Sequence, residues 1–121
     1  MQDDIDFEIM DNIKNMMSAK FNDLIEKYLK NSTDYIKRAD QAVIERDAET
    51  VLSVVHPLKS ASASLGLVRM EAIAKSIEAV SDTMVNGGAD KWLEIEKDMA
   101  ALQEAYVSAE EILITKMEKA G

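Results

Sequence analysis

Apolar residues recur at three- and four-residue spacing along nearly all of this 121-residue chain, and very little interrupts them. With only four glycines and one proline, few positions can stop a helix or turn a hairpin. That pattern predicts an all-helical fold. A first helix is expected from about Asp6 to Met17, carrying Phe7, Met10, Ile13 and Met17 on one face, with Asp3, Asp4 and Asp6 near its positive N-terminal end. A longer one follows from about Ala19 to Arg46, with Phe21, Leu24, Ile25, Tyr28, Tyr35, Ile36, Ala39 and Val43 facing inward. Asn31-Ser32-Thr33 predicts a local bend in its middle.

Asp47 is a good N-cap for a third helix over Ala48 to about Leu65, whose apolar face is Val51, Val54, Val55, Leu58, Ala61 and Leu65. Gly66 suits the position just past its C-terminus. A fourth helix from about Val68 to Val85 buries Met70, Ile73, Ala74, Ile77, Val80 and Met84. Asn86-Gly87-Gly88 is the clearest turn, and Asp90 is expected to cap a last helix with the stripe Trp92, Ile95, Met99, Leu102, Tyr106, Ala109 and Leu113. Short connections between amphipathic helices imply antiparallel neighbours. The expected architecture is one domain over residues 1–121, an up-and-down antiparallel four-helix bundle with an additional N-terminal helix.

Composition narrows the function. Without cysteine there is neither a disulfide nor a thiolate metal site. No apolar run approaches the roughly 20 residues that span a bilayer. The opening Met1-Gln2-Asp3-Asp4 is acidic where a signal peptide is basic, so a cytoplasmic location is expected. A net charge of −9 disfavours nucleic acid and anionic membranes and favours a protein partner. A monomer is expected, since a bundle of this length closes its own core.

The single histidine of the chain, His56, falls off the apolar stripe of the third helix, toward solvent. Lys59 and Ser60 stand at i+3 and i+4, so the three share one exposed face. An imidazole is a nucleophile, the lysine brings a positive charge, and the small Ser60 leaves the neighbouring surface open. That grouping suits a phosphoryl group entering and leaving a ring nitrogen. Pro57 sits inside the same helix, where it removes the bond to the Ser53 carbonyl at a cost of roughly 3 kcal/mol. Because the apolar register continues from Val51 to Leu65, Pro57 is expected to kink the helix without ending it, pushing His56 outward.

The stretch from His56 to Gly66 resembles the signature of histidine-containing phosphotransfer (HPt) domains, through His56, Leu58, Lys59, Ser60, Ala61, Ser62, Leu65 and Gly66. Weaker likeness extends over most of the chain, in Arg46-Asp47-Ala48-Glu49 and in Ile77-Glu78. The resemblance implies a carrier in a multistep two-component phosphorelay. His56 Nε2 would accept a phosphoryl group from the aspartyl phosphate of one receiver domain and pass it to a second. Glu78 would orient the imidazole, and Lys59 would steady the phosphoryl oxygens. Ser60, where glycine is common, and Ala63 would let receiver loops approach. Leu52, Met10, Met17 and Met70 would join Ala63 as a deformable apolar docking patch. The chain itself would bind no cofactor or metal, and Mg²⁺ would arrive on the receiver.

Other chemistries fare worse. The chain has no glycine-rich phosphate loop, so a stoichiometric carrier is expected and not a kinase. A di-iron bundle needs two Glu-x-x-His pairs, and one histidine preceded at i−3 by Ser53 cannot supply them. The remaining rival is an acidic helical adaptor that binds receiver or kinase domains without phosphotransfer.

Overall fold

The computed structural model describes residues 4–117. The described residues form five α-helices: α1 (Phe7–Met17), α2 (Phe21–Ile44), α3 (Ala48–Ser64), α4 (Val68–Val85) and α5 (Trp92–Lys116). Helix α3 packs against α2 and α4, and α5 closes the ring by touching α4 and α2. The result is an antiparallel four-helix bundle, α2–α5, with α1 as an extra N-terminal helix. No described helix is long and apolar enough to cross a membrane.

Local signals set most of the boundaries. The Asp6 carboxylate accepts from the amides of Glu8 and Ile9 at the start of α1, and Asp47 accepts from Thr50 N (3.1 Å) at the start of α3. Asp3, expected to join the first group, lies outside the described residues. At the end of α3, Leu67 N donates to Ser62 O (2.9 Å) and Gly66 N to Ala63 O (3.1 Å). This is a Schellman closure, with Gly66 at φ +77° in the left-handed region. Helix α2 closes in the same way, with Arg46 at φ +57° where a glycine is usual.

Three boundaries differ from expectation. A short 3₁₀ turn, Ser18–Lys20, separates α1 from α2, so α2 starts at Phe21 and not at Ala19; it also ends two residues earlier than Arg46. Residues 31–33, where a bend was expected, lie inside the continuous helix α2; Ser32 is buried on the inward face and Thr33 Oγ1 bonds both Leu29 O and Tyr106 Oη. Asp90 caps nothing; Lys91 holds the N-cap position, and its amide donates to Met84 Sδ (3.1 Å).

The core follows the expected stripes through Ile25, Ile36, Val51, Val55, Leu58, Ile77, Ile95, Leu102 and Leu113. Small polar residues share it. Ser62 is fully buried and its hydroxyl pairs with Tyr28 Oη at 2.7 Å. Leu24, Tyr35, Ala61, Ile73, Val80, Met84, Trp92 and Tyr106 are half-buried at its margin, as are Ile13 and Met17 of α1, whereas Phe7 is exposed. Helix α1 lies over the Gly66 end of α3, where Asp6 N donates to Gly66 O (2.7 Å).

That contact makes Gly66 a stability determinant. A Cβ there would stand 2.6 Å from the Asp6 carbonyl oxygen and 3.1 Å from Ile9 Cβ, on a backbone already in the left-handed region. Gly66→Ala is therefore expected to cost about 2–3 kcal/mol. The melting temperature should fall by roughly 6–15 °C in a calorimetric scan, while the helical circular dichroism of the native state is retained.

Candidate functional site

Helices α3 and α4 run antiparallel, so positions facing each other have a nearly constant sum of residue numbers. His56 comes opposite Glu78 and Lys59 opposite Lys75. Helix α3 passes through Pro57 unbroken, which keeps His56, Lys59 and Ser60 on one face. The imidazole is 64% exposed, enough for another protein to reach it.

One carboxylate organises this surface. Glu78 Oε2 hydrogen-bonds His56 Nδ1, and Glu78 Oε1 accepts from Lys59 Nζ at 2.5 Å. The Glu78 side chain is 18% exposed and that of Lys59 27%, so their pair is partly shielded from water while the ring projects beyond it. The hydrogen bond from Lys59, and then that from His56, hold the Glu78 carboxyl below the usual range, so it stays ionised and accepting at neutral pH. A neutral imidazole that donates Nδ1–H to Glu78 keeps its Nε2 lone pair free and turned to solvent.

Around the ring lies an open groove of 530 Å³, lined by Glu49, Leu52, Ser53, His56, Glu78 and Val85. A second groove of 400 Å³ shares Leu52 and Glu78 with it and adds Lys59, Lys75, Ala79 and Asp82. Among the described residues, no group of three or more His, Cys, Asp or Glu side chains could hold a metal ion.

Of the residues expected from sequence, His56, Lys59 and Glu78 come together. Ser60 is exposed beside them, Ala63 is half-buried a turn further on, and Leu52 lines both grooves. Gly66 lies ten residues along α3, about 15 Å away at the helical rise, and serves the fold instead. The methionine patch does not form. Met10 is 0% and Met70 1% exposed, because both point from α1 and α4 into the core at the Gly66 end, and Met17 packs against that core half-buried. Glu49, Ser53, Lys75, Asp82 and Val85 were not anticipated. Their signal was available, since each stands three, four or seven residues from His56 or Glu78 on the same helix face.

A family model described as the Hpt domain matches residues 23–111 of the chain. Among solved structures, the fold is similar to that of histidine-containing phosphotransfer protein B (HptB) from Pseudomonas aeruginosa PAO1, with a TM-score of 0.85, 12% sequence identity and 96% of each chain covered. At that identity the likeness is one of fold. No curated protein sequence matches this chain.

Proposed function

The chain belongs to the Hpt domain family, and on that premise we propose that it carries a phosphoryl group on His56 between receiver domains of a two-component phosphorelay. The observation that supports this most directly is the shared carboxylate: Glu78 holds Nδ1 of an exposed imidazole and so leaves Nε2 as the free nucleophile. The Nε2 lone pair attacks the phosphorus of an aspartyl phosphate. The bond from phosphorus to the aspartate oxygen breaks, and its electron pair stays on the carboxylate that is released. The ring then bears a positive charge through Nδ1–H, and ionised Glu78 stands against it. Transfer to a second receiver runs the same step in reverse.

Lys59 adds to this directly. An ammonium has three N–H donors, and one goes to Glu78. The other two serve the phosphoryl oxygens as a point charge. Pro57, which deprives the Ser53 carbonyl of its helical donor, is read as bending α3 and tilting His56 outward. The Mg²⁺ that neutralises transition-state charge belongs to the receiver. Because the chain supplies a nucleophile and its sequence carries no glycine-rich phosphate loop, its role is read as stoichiometric and not that of a kinase. A monomer working in the cytoplasm completes the reading.

The test is phosphotransfer from Mg²⁺-loaded receiver domains of the same organism, phosphorylated with acetyl phosphate. Label is expected to move onto this protein and to survive alkali but not acid. Protonating a phosphorylated imidazole makes the ring a good leaving group, whereas an aspartyl phosphate is an anhydride cleaved by hydroxide. Receiver binding without transfer from any member of the panel would favour the adaptor reading.

A further inference from the structure

The strip formed by α3 and α4 carries charge of opposite sign at its two ends. On α3, Glu49, Leu52, Ser53, His56 and Lys59 follow one another at helical spacing, and on α4 Lys75, Glu78, Ala79, Asp82 and Val85 do the same. The imidazole sits near the middle. Lys59 and Glu78 are bonded to each other, so at a distance their charges cancel. What remains is Lys75 on one side and Glu49 with Asp82 on the other. All three are exposed. Lys75 lines the 400 Å³ groove beside Lys59 and makes no ion pair among the described residues, not even with Glu71 one turn earlier. Glu49 lines the 530 Å³ groove together with the apolar Leu52 and Val85.

We propose that this charge order sets the orientation and choice of the receiver: the partner places an acidic group against Lys75, a basic group against Glu49 and Asp82, and an apolar side chain between Leu52 and Val85. The inference rests on the phosphocarrier reading and adds to it which receivers fit. A receiver turned end for end would set like charges together at both ends of the strip, which disfavours that orientation. Lys75 acts here on encounter and alignment, one helical turn from Glu78 at the edge of the groove. A charge at the rim of an interface changes the association rate and its salt dependence far more than the chemical step. The basic end of the strip also counters a protein whose net charge is −9, and would otherwise repel an acidic receiver pocket.

The experiment measures both receiver affinity and single-turnover transfer for the whole chain, for Lys75→Glu, for Glu49→Lys and for Lys37→Glu. Lys37 is exposed on α2, away from the strip, and its substitution changes net charge by the same amount as Lys75→Glu. Lys75→Glu is expected to raise the half-saturating receiver concentration about tenfold at low ionic strength and to lose most of that effect in high salt. The plateau rate should stay within about twofold of the unaltered protein, and a receiver with the complementary charge reversed should restore affinity. Glu49→Lys should weaken the same receiver, while Lys37→Glu leaves it within about twofold. Equal effects of Lys75→Glu and Lys37→Glu would overturn the proposal, as would a fall in plateau rate at unchanged affinity. If the unaltered chain binds a receiver but transfers nothing, the phosphocarrier reading fails while the affinities still decide the charge order. If it binds no receiver at all, both fail.

Discussion

His56→Gln is expected to abolish transfer from every receiver while leaving receiver affinity within about twofold and thermal stability within about 0.5 kcal/mol. The amide nitrogen of glutamine has its lone pair delocalised into the carbonyl, so no nucleophile remains to take phosphorus. The surroundings change little. The substituted side chain stays on the exposed face, and the Lys59–Glu78 hydrogen bond of 2.5 Å does not depend on it. Single-turnover labelling and isothermal titration with the same receiver separate the two readouts. The adaptor reading makes the opposite prediction in the cell, where His56→Gln would leave signalling intact because docking alone was the function. Residual label on the His56→Gln protein would place the phosphoryl group elsewhere on the chain.

Sequence carried the bundle and the nucleophile because their signals are local. A period of 3.6 residues marks an inward face wherever it occurs, and Asp47, Gly66 and Asn86-Gly87-Gly88 act within a single turn of chain. Features set by packing at a distance were not legible. Met10 and Met70 stand on inward stripes and were also expected to border the histidine as a docking patch; the way α1 crosses the Gly66 end of α3 buries Met10 and leaves Phe7 outside. Ser32 was expected at a bend, but a small hydroxyl fits where α2 and α3 approach, and there Ser62, on the facing helix, finds Tyr28. Asp90 is a good cap by residue type, but the chain turns one residue later at Lys91. Glu78 was reached through the family resemblance. No spacing within α4 alone could say that it faces both His56 and Lys59, because that follows from the register of two antiparallel helices.

Glu78→Ala is expected to slow the plateau rate of transfer about 100-fold, with receiver affinity little changed. Two losses combine. Without an acceptor at Nδ1 the ring proton is free to sit on Nε2, which removes the attacking lone pair, and the ring turns in its exposed position. The Lys59 ammonium also loses its counter-charge and stands beside a ring that must become positive as the N–P bond forms. Glu78→Gln separates these causes. The amide oxygen still accepts from Nδ1–H, so the tautomer is preserved, but the charge facing the imidazole and Lys59 is gone. Its rate should fall between the two, about tenfold below the unaltered protein. Nitrogen-15 chemical shifts of His56 report the tautomer directly: protonated Nδ1 in the unaltered chain and in Glu78→Gln, and a mixture with protonated Nε2 in Glu78→Ala. A purely structural role for Glu78 would slow transfer without moving those shifts. The carboxyl also leaves a trace in stability. Its pKa lies below the ordinary carboxylate value in the folded chain, because of the bonds from Lys59 and then His56. Its contribution is therefore present above the unfolded pKa, near 4.3 for a glutamate, and disappears as pH falls through the lower folded value. Urea melts of Glu78→Gln should lack that part of the acid-range decline, so the stability difference between the two proteins should narrow as pH drops.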